Sequence, residues 1–175
     1  MGRRLLALAM ATCAVAALAV AAVASAAPSS AKWTMLDACD GPSFNAALQD
    51  DTACSRPGGV SFDTFINQLL KHGTAPAWRF AGPVTVAAGG TITAVNNGGE
   101  FHTFTEVANF GGGCVQVLND LLGLTPVPEC AQAPGIFGAT GAAPGGSTTT
   151  APLAAGTHRF LCLIHPWMRA TVTAR

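Results

Sequence analysis

The segment "GTHRFLCLIHPWMRATV", Gly156 to Val172, carries a thiol, an imidazole and a thioether in close succession: Cys162, His165 and Met168. These are the soft and borderline donors that copper favours. An extended strand would spread Cys162 to Met168 over about 20 Å and alternate their side chains between two faces. Convergence on one ion therefore demands a turn. "THRFL" reads as a strand delivering Cys162, a tight loop through Pro166 brings His165 round, and Met168 leads into the next strand, "RATVTA". Two histidines and a thiolate in trigonal array, with a long axial methionine, form the arrangement of a copper ion that passes single electrons. A second histidine is then required from elsewhere.

The chain has four histidines. His72 closes a helical pattern beside Lys71, and His158 lies upstream of Cys162 on the same strand, about 13 Å away if extended. Elimination leaves His102, in "NNGGEFHTFTEV", where a Gly-rich turn runs straight into a β-type stretch. Glu100 and Glu106 beside it read as solvated surface charges. Zinc suits the set poorly, because a thioether is not its usual ligand and one thiolate is available. Pro166 and Trp167 flank His165 and read as an apolar collar, an electron-exit patch at the imidazole edge.

The chain opens "MGRRLLALAMATCAVAALAVAAVASAAPSS". Arg3 and Arg4, an Ala/Leu/Val run and the small residues Ala24-Ser25-Ala26 predict a secretory signal peptide over 1–26, cleaved after Ala26 or Ala27. Cleavage after Ala26 takes 26 of the 175 residues and leaves 149, enough for one domain with its own core. Without Arg3 and Arg4 the basic count falls from 9 to 7 against 9 acids, a net charge of −2 with neutral histidines. Nothing basic invites nucleic acid. No later apolar run reaches membrane-spanning length. A monomer, secreted or periplasmic, is expected.

Of the 6 cysteines Cys13 leaves with the signal, so an odd number remains in an oxidising compartment. Cys39 and Cys54 flank one short loop and Cys114 and Cys130 another of similar size. Two local disulfides are predicted, each contributing about 3 kcal/mol on the loop-entropy estimate. Cys162 is then unpaired, and a bound metal accounts for its staying reduced.

Between Val60 and Gly73 the residues Phe62, Phe65, Ile66, Leu69 and Leu70 recur at helical spacing, with Ser61 to cap and Gly73 to stop. This predicts an amphipathic helix packed on the core. Trp33 to Gly59 reads as stapled and irregular, with a helical turn near Phe44 to Leu48. From Ala77 the pattern changes to short Thr/Val/Phe-rich runs, "AWRFAG", "VTVAAGGTITAVNN", "FHTFTEV", "GTHRFLC" and "MRATVTA", broken by glycines. Such runs predict a sandwich or small barrel. Residues 110–150 read as a Gly/Ala/Pro-rich insertion, helical only at Leu118 to Leu122 and held by Cys114 and Cys130. The domain reading is therefore 1–26 signal, 27–76 N-terminal extension and 77–175 metal-binding domain.

"GTHRFLCLIHPWMRATV" and "TITAVNNGGEFHTF" resemble the ligand loop and first-histidine strand of the cupredoxins, the small type 1 copper proteins that include plastocyanin, azurin and amicyanin. The match covers Ala81 to Arg175 around the insertion, and the CxxHxxM spacing is the short form, most similar to amicyanin. The resemblance implies an all-β, Greek-key β-sandwich, here with a helical stapled N-terminal extension and a stapled loop insertion. It implies His102, Cys162 and His165 as equatorial ligands, Met168 as axial ligand and one copper ion per chain. Two positions depart from the family pattern: His158 stands in an aromatic place, and Thr103 stands where Asn often braces the ligand loop.

The expected function is one-electron transfer by Cu(I)/Cu(II) cycling, with a redox partner protein and no substrate chemistry. The chain lacks the His-x-His pairs of multicopper oxidases. One alternative is copper storage or delivery, although only Met35 and Met168 remain beyond the signal segment. Another is an extracellular interaction domain using the sandwich as scaffold.

Overall fold

Alternation with a period of two builds the sheets of this computed structural model, which describes residues 29–175. The signal-peptide reading of 1–26, with Cys13, lies outside the described residues. The order begins with β1 (Ser30–Leu36), α1 (Gly41–Leu48), α2 (Phe62–His72), β2 (Arg79–Ala81), β3 (Thr85–Val86) and β4 (Thr91–Asn96). Next come β5 (His102–Thr103), β6 (Thr105–Val107), α3 (Gln116–Leu122), a 3-10 turn over Pro128–Gln132 and α4 (Gly135–Thr140). β7 (Gly141–Ala142), β8 (Ser147–Thr149), β9 (Gly156–Leu161) and β10 (Arg169–Ala174) follow.

In β10 Ala170, Val172 and Ala174 are buried while Arg169, Thr171 and Thr173 face water. β4 buries Ile92, Ala94 and Asn96, and β1 buries Ala31, Trp33 and Met35. One sheet runs β2-β1-β4-β8, and the other β3-β10-β9-β6. Each contains one parallel pair, β1 with β4 and β3 with β10. Their inner faces share a core in which Phe104 stacks on Phe160 at 4.3 Å and touches Trp33 at 5.8 Å. The architecture is a β-sandwich of two four-stranded sheets with helices added. The short β5-β7 pair carries His102.

Three of the expected elements differ from the structure. Residues 30–36, read as part of an irregular extension, form β1, an inner strand paired with both β2 and β4. The 27–76 segment is therefore integral to the sandwich. Its strand signal is the alternation of Lys32 and Thr34 with Trp33 and Met35, which the nearby staple outweighed in the reading. Residues 110–150 are not merely an insertion either, because β8 pairs with β4 and β7 pairs with β5. "STTT" has no apolar alternation because β8 is a sheet edge, where packing demands least. The third difference is helical: α4 and the 3-10 turn lie in a stretch expected to be irregular beyond Leu122.

The amphipathic helix is as its pattern predicts. Ser61 accepts from the Thr64 amide at the N-terminus, and Gly73 ends α2 with φ of 68°, a conformation that glycine adopts without strain. Phe65 and Leu69 are its buried residues. Disulfides join Cys39 to Cys54 and Cys114 to Cys130, leaving Cys162 free and buried. Among the described residues no helix is long and apolar enough to cross a membrane.

Candidate metal centre

The loop after β9 folds as its donors require. The Cys162 amide donates to the Met168 carbonyl at 3.1 Å, and the Met168 amide donates to the His165 carbonyl at 2.8 Å. This turn returns the chain into β10 directly after Cys162 and draws His165 towards the sulfur. β5, which leads into the β6 strand paired with β9, brings in His102 beside Cys162. Cys162 Sγ lies 3.9 Å from His102 Nδ1 and 3.8 Å from His165 Nδ1, and the two nitrogens are 3.2 Å apart.

A triangle with these edges suits one ion. Bonds of about 2.0 Å to imidazole nitrogen and about 2.3 Å to thiolate sulfur span such edges when the ion lies in the plane of the donors. One thiolate and two imidazoles form the equatorial set of a copper ion in an electron-transfer site. All three residues are buried, with His102 and Cys162 at 0% exposure and His165 at 3%. Met168 is buried beside them at 1% exposure, and its backbone closes the loop.

The sulfur is prepared to bind as thiolate. Burial pushes the Cys162 thiol up, but the imidazoles of His102 and His165 outweigh it and hold the thiol well below its ordinary value. Burial likewise disfavours a charged His165, yet Glu100 and Cys162 prevail and push it up to about 10. Metal binding at such a site displaces protons from the imidazoles.

Thr103 braces the ligand loop. Its hydroxyl accepts from the Leu163 amide at 2.8 Å, and its own amide points at Cys162 Sγ at 3.5 Å. Thr105 Oγ1 donates to Thr103 Oγ1 at 3.1 Å, fixing the rotamer that makes this possible.

The sequence reading missed two carboxylates. Asp37, at the end of β1, meets His102 Nε2 at 2.8 Å and is buried. Burial pushes its carboxyl up, but hydrogen bonds from His102 and from the Gly99 and Glu100 amides prevail and hold it at about 2. Burial also opposes charge on His102, but the hydrogen bond to Asp37 and the neighbouring Cys162 sulfur together outweigh it, so this imidazole is raised. Asp37 lies 65 residues from His102, and no local pattern announced the pairing.

Glu100 is the second, and here the surface-charge reading is corrected. It is 8% exposed, accepts a hydrogen bond from Trp78 Nε1, and lies 3.7 Å from His165 Nε2. Asn96 draws it inward by donating to the Glu100 carbonyl at 2.7 Å and the Ala142 carbonyl at 2.9 Å. A usable signal existed: Glu100 stands two residues before a candidate ligand, in the Gly-rich turn that leads into it. Asp37, Cys39 and Glu100 also converge as a group of donors. They do not form a second metal site, because the Cys39 sulfur is committed to its disulfide.

Pro166 and Trp167, read as an apolar collar at the imidazole edge, lie in the ligand loop directly after His165. Pro166 is buried, and Trp167 is half-buried between His165 at 5.4 Å and Phe65 of α2 at 5.7 Å. Helix α2 therefore packs against the ligand loop. The remaining histidines lie apart from the centre: His72 is exposed in the last turn of α2, and His158 meets Glu106 Oε1 at 2.6 Å and the Ala154 carbonyl at 2.8 Å.

The chain matches no family model and no curated protein. Among solved structures it is similar to an amicyanin mutant in the reduced Cu(I) form at pH 4, at 21% identity over 53% of this chain and 68% of that one, with a TM-score of 0.33. It is also similar to a purple cupredoxin from Nitrosopumilus maritimus, at 12% identity over 83% of this chain and 99% of that one, with a TM-score of 0.39. The sandwich and its ligand loop stand on the strand order and donor geometry described above.

Proposed function

We propose that this protein is a type 1 copper protein that transfers single electrons. The observation that carries the reading is the buried triangle of His102 Nδ1, His165 Nδ1 and Cys162 Sγ, with edges of 3.2, 3.8 and 3.9 Å. Copper, when bound, supplies a Cu(I)/Cu(II) couple. His102, Cys162, His165 and Met168 would hold it. Thr103 and the Met168 backbone keep the loop from relaxing between oxidation states, so little reorganisation accompanies electron transfer.

Burial of the donors favours a carrier over storage or delivery. Handing an ion to a partner requires a ligand that an incoming donor can reach, whereas the three equatorial residues are at most 3% exposed. Electrons need no such opening. We further propose that the protein works outside the cytoplasm with a redox partner protein, where its two disulfides persist and the bound ion keeps Cys162 from oxidising.

The test is the visible spectrum of the copper-loaded protein against Cys162→Ser. An intense thiolate-to-copper band in the wild type that vanishes in the variant is expected. Its absence from folded, copper-loaded wild type with Cys162 reduced would overturn the reading.

A further inference from the structure

Both imidazoles at the centre have a carboxylate behind them. Each turns Nδ1 towards Cys162 and presents Nε2 to an acid: Asp37 at 2.8 Å from His102, and Glu100 at 3.7 Å from His165. The acids are themselves held. Asp37 accepts from the amides of Cys39 at 3.1 Å, Gly99 at 2.8 Å and Glu100 at 3.0 Å, and Glu100 accepts from Trp78 Nε1. A Cβ added at Gly98 would lie 1.9 Å from Asp37 Oδ2, so only glycine lets the turn come this close. Among the described residues no lysine or arginine nitrogen lies within 4 Å of either carboxylate.

We propose that Asp37 is a positioning residue for the metal centre, and that Asp37 and Glu100 together poise it towards the more highly charged, oxidised ion. The inference rests on the copper reading above. A carboxylate at Nε2 keeps the proton on that nitrogen, which leaves the Nδ1 lone pair for the metal and strengthens it as a donor. Two fixed negative charges in a buried site attract a dication more than a monocation. Exposed charges would be weakened by salt, but buried ones are screened much less. The carboxylates therefore disfavour reduction.

The experiment compares copper-loaded wild type, D37N and E100Q by potentiometric titration of the visible band at low and high salt. Imidazole nitrogen NMR of the diamagnetic Cu(I) protein reports the tautomer of His102. D37N keeps an oxygen for the backbone amides and removes the charge. Its affinity for Cu(II) is expected to fall about tenfold more than its affinity for Cu(I), on the scale of outer-shell substitutions, which raises the potential by about 59 mV. E100Q is expected to raise it less, and neither shift is to change with salt. The Nε2–H signature of His102 is to be retained in wild type and weakened in D37N alone.

An unchanged or lowered potential in folded D37N overturns the proposal. If D37N does not fold, E100Q decides, since it leaves the Asp37 hydrogen bonds in place, and a flat potential there overturns the charge argument. A wild type without the thiolate-to-copper band overturns the copper reading itself. A wild type with the band and variants with unmoved potentials overturn only this inference.

Discussion

The two stapled segments are nearly the same size, with cysteines 15 and 16 residues apart, yet they stand in different relations to the centre. Cys39 is two residues beyond Asp37 and donates to its carboxylate. Ser55, next to Cys54, donates its amide and its hydroxyl to the Gly99 carbonyl, so this staple grips the turn that carries Glu100. The other staple meets the ligand loop from outside, where the Cys114 amide donates to the Leu163 carbonyl at 2.6 Å. Around it Val107, Val127, Leu161 and Leu163 form a satellite core. One disulfide supports the carboxylates behind the ligands, and the other supports the wall of the loop.

The largest expected effect separates these roles. Replacing Cys39 and Cys54 with serine, or Cys114 and Cys130 with serine, should cost about 3 kcal/mol in either case, because loops of equal length lose equal entropy. Urea unfolding measures that cost. Only the first pair of substitutions should also move the visible spectrum and potential of the copper-loaded protein. Equal spectral changes from both pairs would break the comparison.

A smaller effect belongs to Asp37. Its folded value of about 2 lies below the ordinary carboxyl value near 3.8, so it adds stability above that ordinary value and loses it as pH falls through about 2. The contribution is about 2 kcal/mol. Acid unfolding of the metal-free protein should therefore show a loss between about pH 4 and pH 2 that is missing from D37N. An identical acid limb in both proteins would detach Asp37 from the network described for it.

The smallest effect lies at the far end of β9. Glu106, with its side chain 51% exposed, holds His158 at 2.6 Å. Burial lowers the His158 imidazole, but Glu106 and the Ala154 carbonyl together outweigh it and raise it. Glu106→Gln should bring the His158 titration down, as read by proton NMR. It should cost under about 1 kcal/mol, since exposed pairs contribute little, and leave the copper band unmoved. A changed band would join this surface pair to the centre.

What could be read in advance was local. Cys162, His165 and Met168 announce themselves by spacing, Ser61 and Gly73 by the chemistry of helix ends, and the two disulfides by short loops and an odd cysteine. His102 followed from the shortness of the histidine list and its place after a glycine turn. The stretches misread were those whose role depends on distant neighbours. Trp33 and Met35 alternate like strand residues, but their place between β2 and β4 is visible only in the sheet. Glu100 looks like any acid after two glycines until Asn96 and Trp78 fold it inward.

The sequence alone determined which atoms can bind a soft metal, because donor type and short-range spacing are properties of the chain itself. Tertiary structure decided what surrounds those atoms: Asp37 behind His102, Glu100 behind His165, and Phe65 of α2 against Trp167. Those contacts join segments up to about a hundred residues apart. Their energies come from burial and from hydrogen bonds that form only once the two sheets have closed.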